Sequence, residues 1–135
     1  MTHIKDENCI FCKIVAGEIP SYKIFEDNNF FGFLTIMPHV KGHMLLIPKN
    51  HVEDILSSDD TTSDEIFRTG KNLAKKIKNI FTPNKVGFVL AGQGVPHLHL
   101  HLIPVNQESD LNPEKAYKAS HEELLEIQNL YNQNL

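Results

Sequence analysis

The clearest pattern of apolar and polar positions lies between Pro96 and Pro104, where His97, His99 and His101 alternate with Leu98, Leu100 and Leu102. Strict alternation is the β-strand period and predicts a strand over 97–103, imidazoles on one face and leucines on the other. At a rise of roughly 3.3 Å per residue, neighbouring imidazoles lie about 7 Å apart, which lets one phosphate sit between two of them. The leucines require a core, so the histidines face a cleft or solvent.

Other segments follow the same logic. Residues 21–26 alternate weakly and 30–36 are apolar. Asp27-Asn28-Asn29 between them is turn chemistry, so a hairpin is expected. His43-Met44-Leu45-Leu46-Ile47 is the nearly continuous apolar run of a central strand, ended by Pro48. After a polar connector over 57–63, Ile66, Phe67, Gly70, Leu73, Ala74, Ile77, Ile80 and Phe81 share a face at helical spacing, with Lys71, Lys75, Lys76 and Lys78 mostly opposite. Residues 86–90 form a further strand, joined to the histidine strand by a tight turn at Ala91-Gly92-Gln93-Gly94. Cys9 to Val15 predicts a helical turn that Gly17 ends. Residues 105–119 have loop composition, and Ser120-His121-Glu122-Glu123 is a capping box opening a terminal helix. These elements predict an α+β fold: an antiparallel sheet of about five strands, one long helix packed on it, and short N- and C-terminal helices.

Composition narrows the function. The 135 residues fit one domain, and 41% hydrophobic with 22% charged residues is ordinary for a globular protein. A net charge of −4 and a pI near 6.0 argue against a nucleic-acid or anionic-membrane surface, and no aromatic residue interleaves the helix lysines. No apolar run reaches the ~18 residues of a membrane span. The N-terminus has no hydrophobic signal core, so a cytoplasmic protein is expected. Two cysteines cannot make a disulfide framework; Cys9-x-x-Cys12 leaves metal binding, redox chemistry or two buried thiols open.

The histidines suggest transfer chemistry at phosphorus. A neutral imidazole is a nucleophile at pH 7, and its phosphoryl adduct is labile. The sequence has no phosphate-binding glycine-lysine loop and no Mg²⁺-binding carboxylates near the three histidines, so no cofactor is expected for catalysis. Amides at Gly92, Gln93 and Gly94 are candidates for an anion nest. The nucleophile needs one ring nitrogen free, so the other should donate to a backbone carbonyl.

His97-Leu98-His99-Leu100-His101-Leu102-Ile103, preceded by Cys-Ile-Phe-Cys-Lys-Ile-Val-Ala-Gly-Glu-Ile-Pro from Cys9 and Lys-Gly-His-Met-Leu-Leu-Ile-Pro-Lys-Asn-His from Lys41, resembles the histidine triad superfamily. It is most similar to the Hint-like nucleotide-binding hydrolases. The resemblance implies one such domain over 1–135, with residues 1–8 loose and 105–135 a C-terminal extension, and it implies a homodimer. It maps the nucleophile to His99, with His101 on a non-bridging oxygen and able to supply the leaving-group proton. His43 matches an additional motif histidine, although a hydrogen-bonded role at a strand start would equally explain it. The purine slot would be walled by Ile10, Phe11, Ile14, Phe33, Ile36 and Leu45, which otherwise read as core. Thr35 stands where the family usually has a ribose-holding Asp, and Gly94 where it commonly has Ser or Thr. Cys9, Cys12, His51 and His97 match a structural zinc site of some members, while His3, His39 and His121 read as surface residues. The implied activity is hydrolysis or transfer at the α-phosphorus of purine nucleotides, such as nucleoside 5′-phosphoramidates, through a nucleotidyl-histidine. Alternatives are a dinucleoside polyphosphate hydrolase, a low-turnover nucleotide-binding regulatory dimer, and a histidine-rich metal buffer, which the alternating leucines argue against.

Overall fold

The computed structural model describes residues 3–91 and 94–133. A five-stranded antiparallel sheet runs in the order β1-β2-β3-β5-β4, with β1 Lys23–Glu26, β2 Phe30–Leu34, β3 Met44–Pro48, β4 Lys85–Val89 and β5 Leu100–Val105. Helices α1 Ile10–Val15, α2 Asp60–Phe81 and α3 His121–Gln133 complete the α+β architecture.

The two faces of the sheet have separate cores. Met44, Leu46, Leu100 and Leu102 join Ile66, Leu73 and Ile77 of α2 and Leu124, Ile127 and Tyr131 of α3. On the opposite face, Phe31, Phe33, Leu45 and Ile47 pack against Phe11, Cys12 and Ile14 of α1. Pairing places Leu45 beside His101 and Val89 beside His101 on its other side. The face away from α2 is therefore covered by α1 at one flank, and His101 lies in the adjoining strand.

Several features differ from the pattern-based expectations. Helix α2 begins at Asp60, inside the stretch read as connector, because the Asp59 carboxylate accepts the Thr62 N–H at 2.7 Å and caps it. Residues 97–99 are not in the strand: His97 N–H bonds Val95 O and Leu98 N–H bonds Val52 O, so this half of the run leaves the ladder. β4 ends at Val89 and β5 begins only at Leu100, and Gly92 and Gln93, expected in the turn between the strands and in the anion nest, lie outside the described residues. Elsewhere, residues 105–119 contain two 3-10 turns, Glu108–Leu111 and Pro113–Lys115. Ser120 accepts the Glu123 N–H at 3.1 Å, whereas the Glu123 carboxylate is taken by the Tyr117 hydroxyl instead of closing the capping box. In the segment read as loose, Ile4 donates to Asn50 Oδ1 at 2.8 Å and accepts from His51 N–H at 2.8 Å.

One contact fixes the entry to β3. Gly42 has φ of +95°, its carbonyl accepts the buried Tyr131 hydroxyl at 2.6 Å, and an added Cβ would lie 2.6 Å from the Phe81 ring. The next residue is the buried His43. Gly42→Ala therefore meets a disfavoured backbone conformation and an aromatic clash together, for a cost of about 2 kcal/mol or more. Urea denaturation should show that loss; a change within about 0.5 kcal/mol would refute this account of the turn.

Candidate active site

Each histidine of the run has a different surrounding. His97 is fully buried, its Nε2 2.9 Å from the Pro48 carbonyl. A carbonyl only accepts, so Nε2 carries the proton and Nδ1 presents a lone pair. That lone pair faces Cys9 Sγ at 3.4 Å, Cys12 Sγ at 3.5 Å and His51 Nδ1 at 3.2 Å. Cys12 Sγ is 3.4 Å from His51 Nδ1, and all four ligand atoms lie within 4.8 Å of one another. Zinc bonds of about 2.3 Å to sulfur and 2.0–2.1 Å to nitrogen make a tetrahedron with edges of roughly 3.3–3.8 Å. The observed contacts match those edges to within a few tenths of an ångström. The Cys9, Cys12, His51, His97 group has the chemistry and spacing to bind a metal ion. Cys9 also caps α1, its sulfur accepting the Cys12 N–H, while Cys12 accepts from Asp6 N–H.

His99 is buried, and its Nδ1 donates to the His97 carbonyl at 2.7 Å. This fixes the tautomer of the neutral ring, with the proton on Nδ1 and the lone pair on Nε2. The Phe11 ring meets His99 edge-on at 5.2 Å, and the His101 ring lies 5.2 Å away, closer than the 7 Å of a regular strand because residue 99 precedes β5.

His101 is half-buried, and its Nδ1 is 2.9 Å from His43 Nε2. His43 Nδ1 accepts the His39 backbone N–H at 3.1 Å, so neutral His43 carries its proton on Nε2 and donates to His101. His101 must then hold its own proton on Nε2, away from His43. Burial is the main reason that His43 is held down to about 3 and His101 to about 4; the charges of the neighbouring histidines add to it.

His39, read as a surface residue, is half-buried. Its Nδ1 donates to the Asp110 carbonyl at 3.0 Å, and its ring meets His43 edge-on at 4.6 Å. Asp110, also unanticipated, is a buried carboxylate that accepts from Asn106 N–H and Gln107 N–H and pairs with Lys115. These partners hold it down to about 2, the Lys115 bond contributing most. Position 39 lies four residues before His43, the one signal in the sequence that it belonged with the site. Exposed His121 shares a hydrogen bond with the Tyr22 hydroxyl at 2.6 Å, away from these groups.

Two pockets open on this face. One, of 240 Å³, is lined by Ile10, Phe11, Ile14, Phe33, Thr35, Ile36 and Leu45, all seven residues expected at the nucleoside slot, along with residues 19–22 and Leu34. Thr35 Oγ1 accepts the Met37 N–H at 3.1 Å, which leaves its hydroxyl proton available. The other, of 210 Å³, is lined by His39 and His101 with Val89, Ala91, Ile103, Leu111 and Pro113. Gly94 is exposed with φ of +94°, so the Ser or Thr common at that position in the family would be strained here.

The buried neutral histidines make stability pH-dependent. Both groups titrate near 6.5 when unfolded and lower when folded. Their contribution is complete above about pH 6.5 and is lost as pH falls toward the folded values, because the unfolded chain binds the protons first. At pH 5 the loss is on the order of 2 kcal/mol for each. Denaturation at pH 7.5 and 5.0 should show it, with a shallower pH slope in His43→Asn; equal stability at both pH values would refute the neutral assignment.

Comparison with known proteins accords with this geometry. The HIT domain family model matches residues 16–108. The chain is 42% identical over 103 residues to protein Hit of Bacillus subtilis, covering 73% of this chain and 71% of that protein. It is 38% identical over 111 residues to an adenosine 5′-monophosphoramidase of Candida albicans, covering 76% and 73%. A Hit-like protein involved in cell-cycle regulation from Bartonella henselae matches with a TM-score of 0.85 and 31% identity over 98% of this chain and 100% of that one. A zinc-bound histidine triad family protein from Mycobacterium smegmatis matches with a TM-score of 0.76 and 27% identity over 93% and 94%. The family match, the relatives' identities and the triad together establish that this chain belongs to the HIT family of the histidine triad superfamily.

Proposed function

We propose that the protein is a nucleotide hydrolase or transferase acting at the α-phosphorus of purine nucleotide conjugates, nucleoside 5′-phosphoramidates in particular. The observation carrying this reading is the His99–His97 hydrogen bond, which leaves an unprotonated Nε2 on a buried ring that touches Phe11 of the nucleoside slot. In the first step His99 Nε2 attacks phosphorus, a nucleotidyl-histidine forms, and the substituent leaves with its bonding pair. Water then cleaves the P–N bond and releases the nucleoside monophosphate. His101 Nε2–H donates to a non-bridging oxygen, and His43 holds His101 in that tautomer. The base occupies the apolar slot, with the Thr35 hydroxyl donating to the ribose, and the Gly94 amide belongs to the proposed anion nest. The yeast relatives described as adenosine 5′-monophosphoramidases support the substrate class.

Two further features belong to the same reading. The Cys9, Cys12, His51, His97 group fits zinc, which would tie α1 to the chain entering the triad and take no part in the chemistry. A homodimer is supported by edge strand β4, whose half-exposed Phe88 lies beside Gly70 of α2, with half-exposed Phe67 one turn away. No helix among the described residues is long and apolar enough to cross a membrane; the cytoplasm is the proposed compartment.

Turnover of a fluorogenic adenosine 5′-phosphoramidate tests the function. His99→Ala should lower it by at least about 10³-fold while AMP binding persists; activity within tenfold of the parent would sink the covalent route. Neither pocket is lined by a carboxylate, so excess Mg²⁺ should not raise the rate. A Mg²⁺ requirement in folded protein would place the chemistry in another class.

The zinc assignment has its own test. Protein purified without added metal should carry about one zinc per chain by elemental analysis, and Cys9→Ser should lower both metal content and melting temperature. Metal-free, well-folded protein whose melting temperature is indifferent to Cys9→Ser would remove the four residues from consideration as a site.

A further inference from the structure

The hydrogen-bond accounting leaves the leaving-group proton without an obvious source. His101 Nε2–H faces the reaction, but His101 Nδ1 already accepts from His43, whose own Nδ1 accepts the His39 amide. Charging His101 would place a proton on Nδ1 against the His43 Nε2–H. Losing the Nε2 proton from neutral His101 would leave an imidazolate. His101 is therefore built to stay a neutral hydrogen-bond donor.

His39 carries no such conflict. Its Nδ1 donates to the Asp110 carbonyl, a bond made equally well by neutral and protonated imidazole, and its Nε2, which has no hydrogen-bond partner among the described residues, can take or give a proton without breaking that bond. The ring lines the 210 Å³ pocket together with His101, on the same sheet face as the nucleoside slot that Leu45 lines and displaced from it toward β4. Val89, Ala91 and Ile103 make the pocket's floor and walls apolar, and the 3-10 segment bearing Leu111 is held over it by the Asp110 bonds to Asn106, Gln107 and Lys115.

Building on the phosphoramidate reading, we propose that this second pocket receives the leaving group and that His39 is the general acid that protonates it, the favoured substrates being nucleoside phosphoramidates of compact apolar amines. In the step, His99 Nε2 forms the new N–P bond as the P–N bond to the amine breaks. The electron pair stays on the departing nitrogen, which takes the proton from His39 Nε2–H; the amine leaves neutral and His39 becomes neutral, still donating through Nδ1 to Asp110. When water later attacks the nucleotidyl-histidine, neutral His39 accepts its proton and is restored. Donor and acceptor balance over the cycle with no added reagent. The titratable groups around His39 are the neutral imidazoles of His43, just before β3, and of His101 on β5, with the Asp110–Lys115 pair on the two 3-10 turns.

Two substrates separate this role from a structural one. A phosphoramidate of an alkylamine needs its leaving nitrogen protonated, whereas the p-nitrophenyl ester of AMP expels a stable anion. His39→Asn retains an amide N–H at the place of Nδ1 for the Asp110 carbonyl but cannot deliver a proton. Its kcat loss on the alkylamine substrate should exceed its loss on the ester by about 100-fold or more, the ordinary span of general-acid catalysis. The alkaline limb of the parent's kcat–pH profile, where a general acid loses its proton, should also be present on the amide and weakened or absent on the ester. His39→Gln, read alongside the melting temperature, serves if the asparagine variant folds poorly. Equal losses on the two substrates, or no loss on the amide, would overturn the general-acid assignment while leaving the phosphoramidate reading intact. If the parent turned over neither substrate, both readings would fall together. Lengthening the amine from propyl to a charged aminopropyl group should raise KM, and indifference to that change would remove the pocket assignment.

Discussion

The hydrogen bond from His99 Nδ1 to the His97 carbonyl, 2.7 Å long, decides which nitrogen of the central imidazole is free, and much of the molecule is arranged to keep that carbonyl in place. The His97 ring is locked by Pro48 O on one side and by the cysteine–histidine group on the other, so its backbone has little freedom to turn. Leaving a regular strand at residues 97–99 is part of the same arrangement. In a ladder the His97 carbonyl would be directed toward a neighbouring strand; here it is available to the ring two residues on. The local departure from the β pattern is therefore a requirement of the site, and Leu98 compensates by pairing its N–H with Val52 O and burying its side chain.

A second chain of bonds runs from the His39 amide through His43 to His101. Each link has a definite direction, because an amide can only donate and a neutral imidazole has one donor and one acceptor. In a buried setting an unmatched donor costs about 1–3 kcal/mol, so the direction at one end propagates to the other. Gly42 and Tyr131 hold the turn before His43, which links the position of this relay to α3 on the far side of the sheet.

Alternation, caps and turn residues made the sheet and its helices readable in the sequence because each reports a local cost: a Leu without cover, an N–H without an acceptor, a positive φ. The strand run from His43 and the helix face from Ile66 to Phe81 carry such signals throughout. The limits of that reasoning are equally local. The alternating His-Leu run has the strand period over its whole length, yet nothing in the period records that His97 bonds Pro48 and a cysteine pair nearly ninety positions away. The walls of the nucleoside slot came from the resemblance, since Phe33 and Leu45 have the spacing of ordinary core residues. His39 and Asp110 were missed because their partnership is a side chain to a distant carbonyl, 71 positions apart, which leaves no periodic trace.

Helix α1 shows how closely the separate parts of the site depend on one another. It has six residues, too few to be stable alone in water, so its position must come from its caps and its packing. Its N-cap is Cys9, and Cys12 lies in its first turn. Between and beyond them Ile10, Phe11 and Ile14 wall the apolar pocket proposed to hold the nucleoside. Phe11 stands edge-on to His99, His97 and Phe33 at 5.2, 5.9 and 5.6 Å. A shift of α1 by even part of a turn would move the apolar pocket wall, the ring packed on His99 and two of the four metal-spaced ligand atoms together. A tie between the cysteines and His97 therefore also ties the pocket wall to the His99 ring. That coupling gives the cysteine–histidine group a physical route to the geometry of the proposed reaction, through packing and not through any proton.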